Sequence, residues 1–384
     1  MLYILIAVTP FYITLFWSIV FLSKGPLKSP AIFALGVFMV LSAGLYLSHS
    51  LYFLGFYNAY LSVDAFYMFA ALSVYPMYFW YVKMLTSEAE YNYINLLHFI
   101  PAIVLSIAML VLHLVSTFDE RMSYFRRVLI DNDLSVVAEK GNAGALARLF
   151  LISRIYFAVQ VFYYLIRGYR LADRYNDRIA AFYSNMQHRQ LLWVKLLSLI
   201  FLFTSVSSLI FNVIGRGIFL ENREMLLFPS LLFSALLFMI GYQGNLQVFT
   251  IKDVVNDESD VHHYAVPVDA REILKKRLVE LMEKEQLFLQ PDLRVSLLCE
   301  RLHTNRTYIS GLINDEFGES FNAFVNRYRV KYVCAIMQER RFECNYSLDY
   351  LAAEAGFGSA SSFIRSFKQL EGVTPGKYMK SLGL

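Results

Sequence analysis

The side chains with the most recognisable chemistry lie near the end of the chain, in the stretch Leu351–Tyr378. After a glycine turn, Phe363 and Phe367 stand four residues apart and share one helix face, whereas Arg365 and Lys368 lie off that face. Basic side chains can contact phosphate, and arginine can also grip a guanine edge. Two helices joined by a tight glycine turn form a helix-turn-helix, whose second helix can enter a DNA major groove.

A second set of candidates consists of ionisable side chains inside apolar stretches. They are His49, Asp64, His113 and Arg154. A charge in hydrocarbon is costly unless it has a partner, so such residues indicate either packing or function. One interpretation is an ion pair between Asp64 and Arg154 that fixes helix packing. The other is a ligand-sensing pocket that opens to the outside and receives a small signal molecule.

Composition predicts that these two sets belong to different domains. Of the 384 residues, 57% are hydrophobic and only 17% are charged. Ordinary soluble domains have about 25% charged residues, so the chain is too apolar to be one soluble unit. The apolar excess lies in residues 1–250, which predicts a transmembrane sensor domain, then a linker over 251–269 and a soluble domain over 270–384. The predicted fold class is all-α.

Seven apolar stretches are long enough to cross a bilayer as helices. They are residues 2–22, 30–54, 60–85, 94–117, 147–169, 190–214 and 225–249. With the N-terminus outside, basic residues are enriched in the inner loops. These residues are Lys24, Lys28, Lys83, Arg167, Arg170, Arg174, Arg178 and Arg189. This bias predicts a multi-pass membrane protein, with loop 118–146 outside and the C-terminal domain in the cytoplasm.

The region after the linker has the pattern of a soluble helical domain. Asp269 is a predicted N-cap, and an apolar helix stripe follows it. The stripe consists of Ile273, Leu274, Leu278 and Leu281. A long amphipathic helix is predicted over 321–340, and its Arg327, Arg329 and Lys331 are expected on a solvated face rather than along a phosphate track.

A second, weaker helix-turn-helix is predicted over residues 293–314. His303 occupies the turn position that Gly356 holds in the later copy. Histidine is among the few other residue types enriched at positive φ, so it can fill that position. Asn305 is then expected to cap a helix that begins at Arg306.

Catalytic and metal-binding patterns are absent from the sequence. It contains no nucleophile elbow, zinc-protease motif or glycine-rich phosphate loop, which argues against an enzyme. His262 and His263 have no third or fourth ligand nearby in the sequence, so no metal site is predicted. Cys299, Cys334 and Cys344 are odd in number and widely spaced, which favours thiols in a reducing compartment over disulfides. We therefore expect no cofactor.

The stretch Leu351–Tyr378 also resembles the second helix-turn-helix of the AraC/XylS family of bacterial transcription regulators. The matching positions are Leu351, Ala352, Gly356, Phe357, Phe363, Arg365, Phe367, Lys368, Gly372, Thr374, Pro375 and Tyr378. The resemblance covers residues 270–384 and implies seven helices, in which one linker helix holds two helix-turn-helix units against successive major-groove segments. It implies double-stranded DNA as a partner and, with the apolar spans, a location in the bacterial inner membrane.

The resemblance further implies which side chains face DNA. In the first recognition helix they are Arg306, Thr307 and Ser310, and in the second they are Ala360, Ser361, Ser362, Arg365 and Lys368, with Arg365 toward phosphate. Gly311 stands where the family often has a basic residue, and Ala360 stands where a polar base reader is common. Both departures weaken base readout, so the pattern favours binding as a homodimer. Thr374 and Pro375 are expected to cap and open a last short helix.

Two functions are compatible with these patterns. The first is a one-component transcription regulator, anchored in membrane lipid, that senses a small-molecule or envelope signal and binds promoter DNA. The alternative is a membrane receptor or transporter whose C-terminal helical module binds a protein partner. In the alternative case, the C-terminal module would ignore DNA even at low salt.

Overall fold

The computed structural model contains helices and no strand over the residues that it describes. These residues are 2–26, 29–87, 93–186, 189, 191–215, 217–247, 271–339 and 347–382. Contacts divide the chain into two compact units, the first with residues 1–173 and 192–248, the second with residues 174–191 and 249–384. The predicted linker 251–269, with its two histidines and Asp269, lies outside the described residues.

The first unit is a bundle of helices. Helices α1 to α9 are, in order, Leu2–Leu22, Pro30–Phe53, Tyr57–Thr86, Ile100–Val115, Phe118–Tyr124, Asn142–Phe182, Leu192–Ile214, Ile218–Glu221 and Leu227–Leu246. The boundary between the units falls within α6, after Asp173. Among the described helical segments, five are long and apolar enough to cross a membrane: Tyr3–Leu22, Pro30–Phe53, Asn95–Val115, Asn142–Phe182 and Arg223–Leu246. Helices α3 and α7 occupy the other two predicted spans, and the seven-span count stays a prediction.

Small residues and hydroxyl groups bring the helices of this unit together. Helix α1 packs against α2 and α9, and α2 packs against α3. A Cβ atom at Gly241 of α9 would lie 2.4 Å from the ring of Trp17, so only glycine allows this close approach. The Ser50 hydroxyl donates to the carbonyl oxygen of Ala7 at 2.9 Å and links α2 to α1. Small residues and hydrogen bonds between helices of this kind let the helix backbones approach one another closely.

The predicted outer loop 118–146 is largely helical. Thr117 and Glu120 form a capping box, in which the Thr117 amide donates to the Glu120 carboxylate at 2.8 Å. Thr117 is the N-cap residue, and α5 begins directly after it at Phe118. Arg127 in the following turn pairs with Asp133 at 2.8 Å. Local ion pairs and a cap therefore order a segment whose mixed charges suggest a loop.

The second unit contains seven further α-helices in its described part. Helices α10 to α16 are Arg271–Glu283, Val295–Leu302, Arg306–Phe317, Phe321–Glu339, Leu348–Glu354, Ala360–Glu371 and Pro375–Ser381. Short turns join α11 to α12 and α14 to α15, and α13 lies between these two helix pairs in the chain. The end of α6 and the residues after it, up to 191, pack in the same unit.

The predicted stripe on α10 is wrong at its first position. Ile273 is 62% exposed, whereas Leu274, Leu278 and Leu281 are buried together with Met282. Successive helix residues are rotated by about 100°, so Ile273 turns away from the face that Leu274 buries. The buried face of α10 is therefore the face that carries Leu274, Leu278 and Leu281.

Candidate nucleic-acid interface and membrane-unit cavity

The turn between α11 and α12 has the predicted geometry. His303 ends α11 in the left-handed conformation, with φ 49° and ψ 50°. The Asn305 side chain then accepts a hydrogen bond from the Tyr308 amide at 3.0 Å and caps α12, which begins at Arg306. The predictions for His303 and Asn305 are confirmed.

The turn between α14 and α15 requires glycine for two reasons. Gly356 has φ 77°, and a Cβ atom at this position would lie 2.3 Å from the carbonyl oxygen of Leu289. The Ser359 hydroxyl then accepts a hydrogen bond from the Ser362 amide at 3.3 Å and caps α15. The second helix pair therefore has the same order of turn, cap and helix as the first.

Two phenylalanine rings fix α15 on the core of the second unit. Phe363 and Phe367 are fully buried, with ring centroids 5.6 Å apart, and Phe367 also meets the ring of Tyr378 at 5.3 Å. Helix α16 begins at Pro375 and Thr374 is its N-cap residue, as predicted, although the Thr374 side chain makes no capping hydrogen bond. The buried rings leave the other side of α15 to solvent.

The predicted DNA-facing residues of α15 lie on that other side. Ser361, Arg365 and Lys368 are exposed, and Ala360 and Ser362 are partly exposed. One face thus combines two hydroxyl groups with two cations. Hydroxyls can bond to base edges or phosphates, and cations strengthen contact with the phosphate backbone.

The predicted residues of α12 differ more in their surroundings. Thr307 is exposed. The Arg306 guanidinium carbon lies 5.2 Å from the ring centroid of Phe182, at the end of α6. The Ser310 hydroxyl oxygen is buried and has no hydrogen-bond partner in the described part of the chain, so it is the least accessible of the three. Gly311 is surrounded by open space, because a Cβ atom there would meet nothing within 4 Å.

Arg329 of α13 is buried, and its predicted place on a solvated face is wrong. Its exposed fraction is 0%. Its guanidinium group donates to the carbonyl oxygens of Phe288 and Gln290, both at 2.7 Å, and to the Ser184 hydroxyl at 3.2 Å. Burial lowers the pKa of Arg329 to about 10. The carbonyl groups replace water as hydrogen-bond acceptors, so this arginine organises the second unit rather than facing DNA.

Of the cysteines that the structure describes in the second unit, Cys299 is buried and Cys334 is partly buried. Cys299 and Cys334 are free, and burial raises the pKa of each thiol to about 11. Cys344 lies outside the described residues. In the part of the chain that the structure describes, no cluster of three or more His, Cys, Asp or Glu side chains could hold a metal ion.

A cavity of about 230 Å³ lies inside the first unit. Its wall is mostly apolar and comes from helices α1, α2, α3, α6, α7, α8 and α9. His49, Asp64 and Arg154 are among its polar lining residues. Cavities of this kind, apolar with a few convergent polar groups, are the usual form of small-ligand sites.

Asp64 is the most deeply buried charged residue of this cavity. Its exposed fraction is 2%, and its carboxylate lies 3.1 Å from Nε2 of His113. The Tyr124 hydroxyl donates to the same carboxylate at 3.4 Å. His49 meets the Tyr67 hydroxyl at 3.2 Å. Sequence reasoning missed both tyrosines, since a tyrosine in an aromatic-rich sequence gives no signal of its own.

Arg154 lines the same cavity from α6. Its guanidinium carbon lies 4.1 Å from the ring centroid of Phe150. The structure thus brings the four predicted sensing residues into one region, because three line the cavity and His113 touches Asp64. The predicted pair between Asp64 and Arg154 stays a prediction, and His113 is a hydrogen-bond partner that the structure gives to Asp64.

Comparison with known proteins assigns the C-terminal region. Residues 298–381 match the family described as a helix-turn-helix domain. Over 89 residues, the chain is 33% identical to a Bacillus subtilis (strain 168) protein named as the uncharacterized HTH-type transcriptional regulator YtdP. That similarity covers 23% of this chain and 11% of the relative, so it concerns one domain. No solved structure matches the chain.

Proposed function

We propose that this protein is a membrane-anchored, one-component transcription regulator. The C-terminal domain binds promoter DNA through α12 and α15, and the first unit senses the signal that controls binding. The observation that carries this proposal is the arrangement of α15 within a helix-turn-helix domain. It buries Phe363 and Phe367 and turns Ser361, Arg365 and Lys368 to solvent.

The surface of the first unit supports anchoring in a membrane. Its long helices carry large apolar side chains that face outward, such as Leu114, Phe203 and Phe228. An apolar surface of this extent is unfavourable in water and favourable in lipid. We therefore propose a multi-pass inner-membrane protein with the helix-turn-helix domain in the cytoplasm, where DNA is available.

The cavity of the first unit supports signal sensing. A mostly apolar wall with His49, Asp64 and Arg154 suits a small amphipathic molecule that has one polar group. The signal would bind among these side chains and alter the packing of the helices that carry them. The hydrogen bond between Asp64 and His113 is a buried polar contact that such a molecule can disturb.

Base readout by a single domain is weak in this proposal. Gly311 lacks a side chain in α12, and Ala360 opens α15 with a methyl group. Two copies in one membrane can occupy adjacent DNA sites, and confinement to a plane raises their effective concentration. We therefore propose that the regulator binds its operator as a homodimer.

DNA binding is tested with the full-length protein in lipid nanodiscs and randomised duplex DNA. Arg365→Ala should weaken binding about equally on all sequences, because it removes a phosphate contact. Arg306→Ala should also relax base preference, by about 1–3 kcal/mol at one position, because it removes a contact to a base edge.

Lys284→Ala is the matched control, since it removes an exposed positive charge outside the recognition helices. It should leave affinity and base preference close to those of the wild type. If the wild-type chain ignores DNA at low salt, the alternative of a protein-binding module replaces the proposal. Equal base preference in the wild type and Arg306→Ala would remove Arg306 from the base-reading set.

A further inference from the structure

Residues 182–185, at and just after the end of α6, contact the beginnings of both predicted recognition helices. The ring of Phe182 lies against the guanidinium group of Arg306, the first residue of α12. The side chain of Asn185 lies against Gly358, since a Cβ atom there would be 2.1 Å from Asn185 Nδ2. Gly358 directly precedes the residue that caps α15. One short segment therefore reaches both helix starts within the second unit.

The middle of this segment is anchored by hydrogen bonds. The Ser184 amide donates to the carbonyl oxygen of Leu293 at 3.0 Å. The Asn322 side chain donates to the Ser184 carbonyl oxygen at 2.5 Å, and Arg329 donates to the Ser184 hydroxyl at 3.2 Å. Phe182 and its neighbour Tyr183 are buried, with exposed fractions of 0% and 1%. The segment is thus docked, and it is not a solvated connection.

Duplex DNA would have to contact the same starts of α12 and α15 that residues 182–185 contact. In helix-turn-helix proteins, the N-terminal residues of the recognition helix contact base edges. Arg306 cannot stack on Phe182 and simultaneously lie in the plane of a guanine to donate two hydrogen bonds. A duplex that reaches the start of α15 would likewise meet Asn185 beside Gly358.

We propose that residues 182–185 are an internal ligand of the DNA-binding face, so that docking of this segment and binding of duplex DNA exclude each other. This inference rests on the proposed function and adds the form of its regulation. Phe182 ends α6, the helix that also carries Arg154 at the cavity. A signal that displaces this end of α6 would move the segment that contacts Arg306.

Release of the segment would leave no charge of the segment without a partner. Phe182, Tyr183, Ser184 and Asn185 carry no charge, so undocking breaks no ion pair within the segment. Arg329 loses one hydrogen bond but keeps its bonds to two carbonyl oxygens of the same unit. A buried charge without acceptors would make release costly, but Arg329 keeps acceptors when the segment leaves.

The test locks the segment in place with a disulfide in the full-length protein. Asn185→Cys and Gly358→Cys place two thiols where the two residues now touch, and Cys344→Ser removes a native thiol. Cys299 and Cys334 have pKa values raised to about 11, so they form little thiolate and resist oxidation. The protein is held in nanodiscs, and randomised duplex DNA is the probe.

We expect the oxidised double-cysteine protein to bind duplex DNA at least about tenfold more weakly than the reduced one, because apparent affinity falls in proportion to the competent fraction. Reductant should restore binding. The two single-cysteine variants are the controls, and oxidant should not change their affinity.

Equal or tighter binding by the oxidised protein would overturn the proposal and make residues 182–185 a permanent part of the DNA-binding unit. Failure of the disulfide to form, in a chain that binds DNA when reduced, would overturn it as well. If the wild-type chain binds no duplex in either redox state, the proposed function fails, and the exclusion inferred here fails with it.

Discussion

At the scale of single residues, the buried carboxylate of Asp64 is central to the first unit. It is almost fully removed from solvent and is held by His113 and Tyr124. Arg154 brings a permanent positive charge to the same cavity. Charges at such depth are expensive, so their presence indicates either a fixed packing contact or a binding role.

Neutral substitutions of similar shape separate these two roles. Asp64→Asn and Arg154→Gln should leave the protein in the membrane but abolish its transcriptional response, because each removes one charge from the cavity and largely keeps the packing. The measurement is expression of a regulated promoter across growth conditions that change it in the wild type, together with the amount of protein in the membrane.

Asp119→Asn is the matched control, because Asp119 is an exposed acid of α5 outside the cavity. It should respond like the wild type. A normal response from both cavity variants would show that Asp64 and Arg154 only hold helices together.

Arg329 shows how far residue-level prediction reaches. Its charge led to the wrong prediction of a solvated face, although it lies four residues from both Val325 and Val333 and shares their buried face of α13. The sequence does not contain the reason why burial is tolerated, which is a set of carbonyl oxygens from residues far away in the chain. Local features such as the His303 turn were predictable, because one residue and its neighbours determine them.

At the scale of elements, α10 and α12 are joined by charged side chains. Glu316 of α12 pairs with Lys275 at 2.7 Å and with Arg271 at 3.1 Å. The hydrogen bond from Lys275, with further contributions from Arg271, lowers the pKa of Glu316 below its ordinary value of 4.5. The ionised form is thus favoured in the folded state.

This shift predicts an acid-sensitive contribution to stability. Because the folded-state pKa of Glu316 is depressed, its contribution is complete above the ordinary pKa and is lost as pH falls through the folded value. The thermal midpoint of the second unit, followed by scanning calorimetry, should therefore fall less steeply below pH 4.5 in Glu316→Gln than in the wild type.

Glu300→Gln provides the comparison, since Glu300 is an exposed acid on α11. The thermal midpoint of Glu300→Gln should fall with decreasing pH as that of the wild type does. Identical profiles for Glu316→Gln and the wild type would mean that the contact between α10 and α12 adds no stability.

The length of α6 was only partly predictable. The apolar stretch ends near residue 169, whereas the helix continues to Phe182. The added turns, residues 170–182, contain three Arg and three Ala, which favour helix without making it apolar. Hydropathy detects where a helix can lie in lipid, and it does not detect where the helix ends.

At the scale of the whole molecule, composition separates a strongly apolar region from a less apolar one, and the match over residues 298–381 lies entirely in the less apolar one. Composition could not predict that residues 174–191 pack in the second unit. That assignment depends on contacts such as Ser184 with Leu293, which are distant in the chain and leave no periodic pattern.

The central claim is that a chain anchored in the membrane binds promoter DNA, and chromosome occupancy in living cells tests it most directly. The full-length protein is cross-linked to DNA, and the bound sites are sequenced, for the wild type and for Arg365→Ala. We expect the wild type to occupy discrete sites upstream of genes. We expect Arg365→Ala to occupy these sites weakly, even when both proteins are present in equal amounts in the membrane fraction. A wild-type protein that is present in the membrane and enriches no chromosomal site would contradict the claim.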